Sequence, residues 1–174
     1  MGLLKNKKII LNIDESWISQ MDYRRMKWCA PGSTNSVPTK QVQPRISLIV
    51  AIDSVGHMYA SFTQVNTDSK IMGLYIRELA KLLDAEMPGW RAYLVWSHDG
   101  ARYFNCSAIK AVLKSLNVPT MVSAPHSYNV APSELVFASV KAVNLNLERL
   151  PTGKTHFLNV VNLVLARLKD LKPS

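Results

Sequence analysis

The chain has 174 residues, a formal net charge of +9, a hydrophobic fraction of 48% and two cysteines. This composition is typical of one globular domain with a sizeable core and excludes a disordered chain or a disulfide framework. Its apolar runs are far shorter than the roughly 20 residues of a membrane-spanning helix. The positive charge favours a polyanion partner such as nucleic acid, although charge alone fits a merely soluble basic protein equally well.

The first half of the chain predicts three strands. KIILNID is a β-branched run that predicts a buried strand ending at Asp14. The later segment CAPGSTNSVPTKQVQPR is rich in Pro, Gly, Ser and Thr, and it predicts a long exposed loop. RISLIVAI and MYASFTQV then predict the two strands of a hairpin with Gly56 in its turn.

The second half alternates between helices and strands. TDSKIMGLYIRELAKLLDAEM predicts an amphipathic helix that Thr67 or Asp68 can cap. RAYLVWSHD and VPTMVSAP predict two strands, with a helix between them in CSAIKAVLKSL. APSELVFASVKAVNLNLERL and about residues 153–171 predict the last two helices. This order predicts an α/β domain over residues 1–174, in which helices flank a mixed five-stranded sheet made of an antiparallel hairpin and parallel strands.

Three acids occupy related places in this order. Asp14 ends the first predicted strand, Asp99 ends the fourth, and Glu134 lies in the first turn of the helix after the fifth. Sites in open α/β sheets form at the carboxyl ends of strands, so these carboxylates converge if the first and fourth strands are neighbours. Each acid alone is explained more simply as a turn or helix-start residue. Together they predict a site for divalent cations, because clustered carboxylates repel one another without a cation.

Four segments resemble motifs of the catalytic domain of DDE transposases of the mariner superfamily, which has the ribonuclease H-like fold. LNIDESW is similar to the first-acid motif, and RRMKWCAPGSTNSVPTK is similar to the Trp-x-x-x-Gly loop and the clamp loop after it. HDGARYF and APHSYNVAPSELVFASVK resemble the second-acid and third-acid motifs. The 34 residues between Asp99 and Glu134 match a spacing found in one branch of the superfamily.

The resemblance implies a metal-dependent endonuclease and strand transferase in which Asp14, Asp99 and Glu134 hold two Mg²⁺ or Mn²⁺ ions. Such an enzyme cuts a phosphodiester with activated water and then uses the freed 3′-hydroxyl to attack target DNA. The implied partners are DNA and a second copy of the chain or a larger nucleoprotein assembly. The implied location is the nucleus in a eukaryote, or the cytoplasm and nucleoid in a bacterium. Residues expected to contact DNA are Arg24, Arg25, Lys27, Trp28, Lys40 and Arg45.

Several positions depart from the family pattern. Gly100 stands where Asn is usual, Phe104 stands near the usual His, and Ala131 replaces the Asn before Pro132. The family's N-terminal helix-turn-helix region is expected to be absent. These departures leave open a domesticated, catalytically impaired relative that binds nucleic acid or acts as a structural subunit of a larger assembly. A different ribonuclease H-like nuclease is a third reading, which the 34-residue spacing and the clamp-like loop disfavour.

Overall fold

The computed structural model describes residues 8–18, 46–123, 131–142 and 154–171. The strands in these parts are β1 (Ile9–Ile18), β2 (Ile46–Asp53), β3 (Met58–Thr63), β4 (Leu94–His98) and β5 (Thr120–Val122). The helices are α1 (Ser69–Glu86), α2 (Arg102–Asn105), α3 (Ser107–Ser115), α4 (Pro132–Ala142) and α5 (Lys154–Asp170), and Trp90–Ala92 forms a 3-10 turn. The predicted order of elements is therefore confirmed, with α2 as a short helix that the sequence pattern did not reveal.

The strands lie in the order β3-β2-β1-β4-β5, so β1 occupies the centre of the sheet. β2 pairs with β1 and β3 in antiparallel fashion, whereas β4 pairs with β1 and β5 in parallel fashion. This arrangement confirms the predicted mixed sheet of an antiparallel hairpin and parallel strands. It also makes the first and fourth strands neighbours, the condition under which their terminal acids converge.

The prediction that the first strand ends at Asp14 is wrong. β1 continues to Ile18 because its second half pairs with β2, where Asp14 lies opposite Val50 and Ile18 lies opposite Ile46. Pairing of β1 with β4 stops earlier, at Asn12. Asp14 therefore lies inside a strand that is hydrogen-bonded on one edge, just past the point where its other neighbour departs.

Local signals in the sequence set two of the connections. Gly56 adopts φ +99° in the turn between β2 and β3, a conformation that glycine adopts without a steric penalty. Asp68, rather than Thr67, caps α1, and its Oδ1 accepts hydrogen bonds from the backbone N–H groups of Lys70 at 2.8 Å and Ile71 at 2.9 Å. The predicted loop between β1 and β2 lies outside the described residues, as does the predicted continuation of α4 beyond residue 142.

Helices cover both faces of the sheet. On one face, Leu11 and Ile13 of β1 pack with buried residues of α1 and α3 and with Trp90 and Trp96. On the other face, Ile18 packs with the β2 side chains Leu48 and Val50 and with apolar residues of α4 and α5. Each fully buried aliphatic side chain stabilises the fold by about 1.5–3 kcal/mol. No helix in the described parts of the chain is both long and apolar enough to cross a bilayer.

Candidate active site

Two of the three predicted acids lie at the same level of the parallel pair formed by β1 and β4. Asn12 pairs with Ser97 as the last match in the register, and Asp14 and Asp99 each follow two residues later. Side chains two residues apart on a strand point to the same face, so Asp14 shares the face of Asn12, which α4 covers. Burial and then the negative charge of Asp99 raise the pKa of Asp14, so the two carboxyl groups lie within electrostatic range of one another.

The third acid, Glu134, belongs to the start of α4, next to Asp14 of β1 in the fold. Glu134 lies in the first turn of the helix, and its charge also contributes to raising the pKa of Asp14. The preceding residue, Ser133, is fully buried against β1. Its hydroxyl donates to Asn12 Oδ1 at 2.5 Å and approaches Asp14 Oδ2 at 3.2 Å, while its backbone N–H donates to Asn12 Oδ1 at 3.2 Å. Asp14 therefore lies within electrostatic range of both Asp99 and Glu134.

The carboxyl group of Asp14 is held in an environment that opposes its negative charge. Burial, together with the charges of Asp99 and Glu134, raises its pKa from 3.8 to about 6. Hydrogen bonds from the Glu15 backbone N–H, at 2.8 Å, and from Ser133 oppose this rise without cancelling it. A partly buried carboxylate with two acidic neighbours attracts either a proton or a cation.

The donor set fits a hard divalent cation. All three candidate ligands are carboxylates, and Mg²⁺ and Mn²⁺ prefer oxygen donors of this kind. Across the described ranges, no group of three or more His, Cys, Asp or Glu side chains is already drawn together as a metal-holding cluster. Three like charges repel one another, so a spacing wider than that of a chelate is the arrangement expected of these acids on their own.

The turn that carries Asp99 explains one departure from the family pattern. Asp99 is exposed, and its Oδ1 accepts a hydrogen bond from the backbone N–H of Ala101 at 2.9 Å. Gly100 adopts φ +79°, and a Cβ there would lie 3.1 Å from Val122 Cγ1. Positive φ is a conformation that Gly adopts freely and that Asn tolerates better than other residues. Gly100 in place of the usual Asn therefore preserves the backbone conformation of the turn.

The second departure, Phe104, belongs to the core. Its ring stacks on that of His98, with centroids 4.3 Å apart and planes at 8°, on the face that α1 and α3 cover. His98 is buried, and burial lowers its pKa, so the ring is neutral near pH 7. Its Nδ1 accepts a hydrogen bond from the Gly100 backbone N–H at 3.1 Å. The stacked pair therefore supports the turn that carries Asp99 through the hydrogen bond to Gly100, and neither ring is one of the candidate metal ligands.

Glu15 lies beside Asp14 in sequence, but its carboxylate accepts a hydrogen bond from Trp17 Nε1 and faces Tyr103. Burial, followed by the charges of Glu15, Asp99 and Asp14, raises the pKa of the Tyr103 phenol. This position agrees with the alternation of side chains along a strand, which puts Glu15 on the other face of β1 from Asp14.

Sequence reasoning missed Asn12, Ser133 and Tyr103. The sequence contained a usable signal for Asn12, because it is a polar residue inside an apolar run and lies two positions before Asp14, on the same face of the strand. It contained no comparable signal for Ser133 or Tyr103. The predicted DNA-contacting set lies outside the described residues: Arg24, Arg25, Lys27, Trp28, Lys40 and Arg45.

Two comparisons with solved structures concern assembled complexes. A pre-cleavage Mos1 transpososome matches with a TM-score of 0.62 and 18% identity over 92% of this chain and 54% of that chain. A Mos1 mariner paired end complex with Mg matches with a TM-score of 0.60 and 17% identity over 98% of this chain and 55% of that chain. The chain therefore spans about half the length of the transposase chains in these complexes.

A third structure isolates the part that corresponds to this chain. The Mos1 transposase catalytic domain, solved with Raltegravir and Mn, matches with a TM-score of 0.59 and 16% identity over 92% of this chain and 79% of that chain. These likenesses establish the fold, which is the ribonuclease H-like fold of that catalytic domain.

Sequence comparison establishes the family. No curated protein matches the chain. A family model described as DDE superfamily endonuclease matches residues 10–169, which include all three acids. With the fold and this match in agreement, the chain belongs to the DDE superfamily endonucleases.

Proposed function

We propose that this chain is the catalytic part of a DNA transposase, a metal-dependent endonuclease and strand transferase whose triad is Asp14, Asp99 and Glu134. The observation that carries the proposal is the placement of Asp14 and Asp99 two residues past the last pair of the β1–β4 register, with Ser133, the neighbour of Glu134, 3.2 Å from Asp14 Oδ2. Structural ion networks perturb pKa values, but the pKa of Asp14 is raised by burial and then by charges of its own sign. Family membership supports the same reading.

The proposed cofactors are two Mg²⁺ or Mn²⁺ ions, held by the carboxylates of the triad. The donor chemistry supports them, and Mos1 structures have been solved with Mn and with Mg. Bound in pairs, such ions stabilise the attacking and leaving oxygens of an in-line phosphoryl displacement.

The protein's own residues would supply position and charge. Asp14 lies in the central strand, and its raised pKa means that its negative charge is unfavourable there. A bound cation would stabilise that charge, so metal binding would displace the proton. Asp99 is exposed at the tip of its turn, which leaves it accessible to a bound polynucleotide. Glu134 lies in α4 next to Ser133, the hydrogen-bond partner of Asp14, so the three acids come from β1, the turn after β4 and α4.

The proposed partner is DNA, bound in a dimer or a larger nucleoprotein assembly. The net charge of +9 supports a polyanion partner, and the Mos1 relatives form paired-end complexes and a transpososome. Arg24, Arg25, Lys27 and Trp28 remain predicted DNA contacts, as do Lys40 and Arg45. Binding of this kind releases counterions, so affinity should fall steeply between about 50 and 200 mM salt. An affinity for duplex DNA that does not change with salt concentration would contradict this part of the proposal.

A cleavage assay tests the catalytic part. Labelled duplex DNA is incubated with the parent protein and Mn²⁺ or Mg²⁺, beside Asp14→Asn, Asp99→Asn and Glu134→Gln. Each substitution is expected to lower the cleavage rate by at least about 100-fold, since even residues around metal ligands cost about 10–100-fold when lost. Glu15→Gln is the matched control, because it removes an adjacent charge on the other face of β1 and should retain cleavage.

The outcomes separate the two main readings. Equal cleavage by the parent and by all three triad variants would assign the activity to a different site or to a contaminant. DNA binding without Mn²⁺ binding or cleavage would favour the domesticated nucleic-acid-binding subunit.

A further inference from the structure

The first turn of α4 is tied to the sheet by one side chain of β1. The amide oxygen Oδ1 of Asn12 accepts both the backbone N–H and the hydroxyl of Ser133, at 3.2 and 2.5 Å. Asn12 is 6% exposed and Ser133 is 0% exposed. The two residues are 121 positions apart in the chain. We refer to these two hydrogen bonds as the Asn12–Ser133 contact.

This contact replaces an ordinary helix cap. The first N–H groups of a helix have no acceptor within the helix and are usually satisfied by a Ser, Thr, Asp or Asn just before it. Here the preceding residue is Ala131, whose side chain has no acceptor, and Pro132 has no N–H. Asn12 supplies the missing acceptor from the central strand, so the helix begins where β1 holds it.

The same contact determines where the third acid lies. Glu134 follows Ser133 directly, and its backbone N–H donates to Ala131 O at 3.1 Å. Ser133 Oγ also lies 3.2 Å from Asp14 Oδ2. A serine hydroxyl carries one proton, so the shorter bond to Asn12 takes it and Asp14 is the secondary acceptor. One buried hydroxyl therefore links the strand that carries Asp14 to the turn that carries Glu134.

We propose that Asn12 and Ser133 are positioning residues for the candidate active site, fixing the first turn of α4 so that Glu134 faces Asp14 before any metal binds. This inference rests on the proposed function, because it assumes that Glu134 is the third metal-holding acid. Neither residue is a ligand in this scheme. Both act through Glu134, which follows Ser133 directly in α4.

Mn²⁺ affinity of the whole chain, measured by titration calorimetry, tests the positioning role without requiring cleavage. Ser133→Ala is expected to weaken Mn²⁺ binding by about 10-fold or more, the usual consequence of losing a partner that orients ligands. Ser133→Thr keeps the hydroxyl and should recover most of the affinity. Ser47→Ala is the matched control, since Ser47 is also a buried serine, its hydroxyl faces Val65 O at 3.4 Å, and it lies away from the acids.

The amide proton of Ser133 provides a second, metal-free readout. In the parent protein this proton is buried and bonded to Asn12, so NMR should show slow exchange with solvent. Asn12→Ala removes the acceptor and should accelerate exchange at residue 133, while the β1 amides that pair with β2 stay protected. Unchanged exchange at residue 133 in Asn12→Ala would overturn the contact itself. Should Asn12→Ala fail to fold, Ser133→Ala, which removes a single oxygen atom, still decides the question.

The results distinguish this inference from the proposed function. Parent-like Mn²⁺ affinity in folded Ser133→Ala would overturn the positioning role and leave the metal site standing. A parent protein that binds no Mn²⁺ would overturn the proposed function, and the positioning role with it. Weakened binding in Ser133→Ala and Asn12→Ala, with no further loss in the double variant, would support a single shared contact.

Discussion

The two faces of the central sheet use the same strand for different purposes. On the face of α1 and α3, Leu11 and Ile13 enter an apolar core in which Trp90 and Trp96 stack with centroids 5.4 Å apart. On the face of α4 and α5, the alternate residues Asn12, Asp14 and Ser16 in the middle of β1 are polar, and Asn12 contacts Ser133. The difference shows how a strand with a two-residue repeat can support a core on one side and a charged site on the other.

The polar face still needs apolar support. Ile18 and the β2 residues beside it pack against Val136, Phe137 and Val140 of α4, below the turn that carries Glu134. The apolar contacts hold the body of the helix, and the Asn12–Ser133 contact fixes its first turn. The α1 face should therefore respond to mutation mainly in stability, whereas the α4 face should respond mainly in metal binding.

The largest effect on stability is expected from Leu83→Ala in α1. Leu83 is fully buried in the core of that face, so truncation leaves a cavity and should lower the free energy of unfolding by about 2–5 kcal/mol. Urea denaturation measures the loss. The folded variant should bind Mn²⁺ with the affinity of the parent protein, and a large loss of that affinity would show that the two faces are not separate.

Asp14→Asn is expected to stabilise the metal-free protein at neutral pH. Burial and two acidic neighbours raise the pKa of Asp14 from 3.8 to about 6, so the folded state holds the proton more tightly than the unfolded chain. The stability that this proton gives is fully present below pH 3.8 and is lost as pH rises through about 6. At about 1.36 kcal/mol per pKa unit, ionisation of Asp14 costs the fold roughly 3 kcal/mol.

Urea denaturation of both proteins in EDTA, from pH 4 to pH 8, checks this expectation. The asparagine variant should be the more stable protein above about pH 6, and the difference should shrink towards pH 4 as Asp14 becomes neutral. A difference that does not change with pH would contradict the assigned pKa. The same substitution should abolish cleavage, so activity and stability would change in opposite directions.

Gly100→Ala is expected to destabilise the protein by about 1–2 kcal/mol through its left-handed backbone, with a further contribution from crowding. Gly100 has φ +79° and its added Cβ would lie 3.1 Å from Val122. Gly89→Ala is a control for the backbone effect, because Gly89 has φ +78° and an added Cβ there would meet nothing within 4 Å. The difference in thermal stability between the two variants measures the contribution of crowding against Val122. Equal losses of stability would show that the Val122 side chain moves aside at no cost.

The smallest effect is expected from Asp68→Ala, which removes the cap of α1. Its carboxylate accepts two backbone hydrogen bonds at the helix start, so the free energy of unfolding should fall by about 1 kcal/mol. Denaturant titration checks the value. A measurable change in Mn²⁺ affinity would contradict the separation of the two faces, because this cap lies on the α1 side.

The sequence by itself determined what is local. Hydrophobic spacing predicted the hairpin and the amphipathic α1, because each depends on residues close together in the chain. The short helix α2 escaped detection because four residues carry too little periodicity. The motifs around Asp14, Asp99 and Glu134 also identified the family before any contact was known.

Only the tertiary structure decided what depends on distant parts of the chain. Alternation within β1 placed Glu15 away from Asp14, but no spacing rule revealed that β1 lies beside β4 or that Asn12 pairs with Ser97. Spacing also failed to predict that β1 runs on to Ile18, because that extension depends on pairing with β2. The contact of Asn12 with Ser133 joins residues 121 positions apart. Such pairings form only when distant parts of the chain meet in the fold, so the sequence identified the three acids and only the tertiary structure decided which side chains surround Asp14.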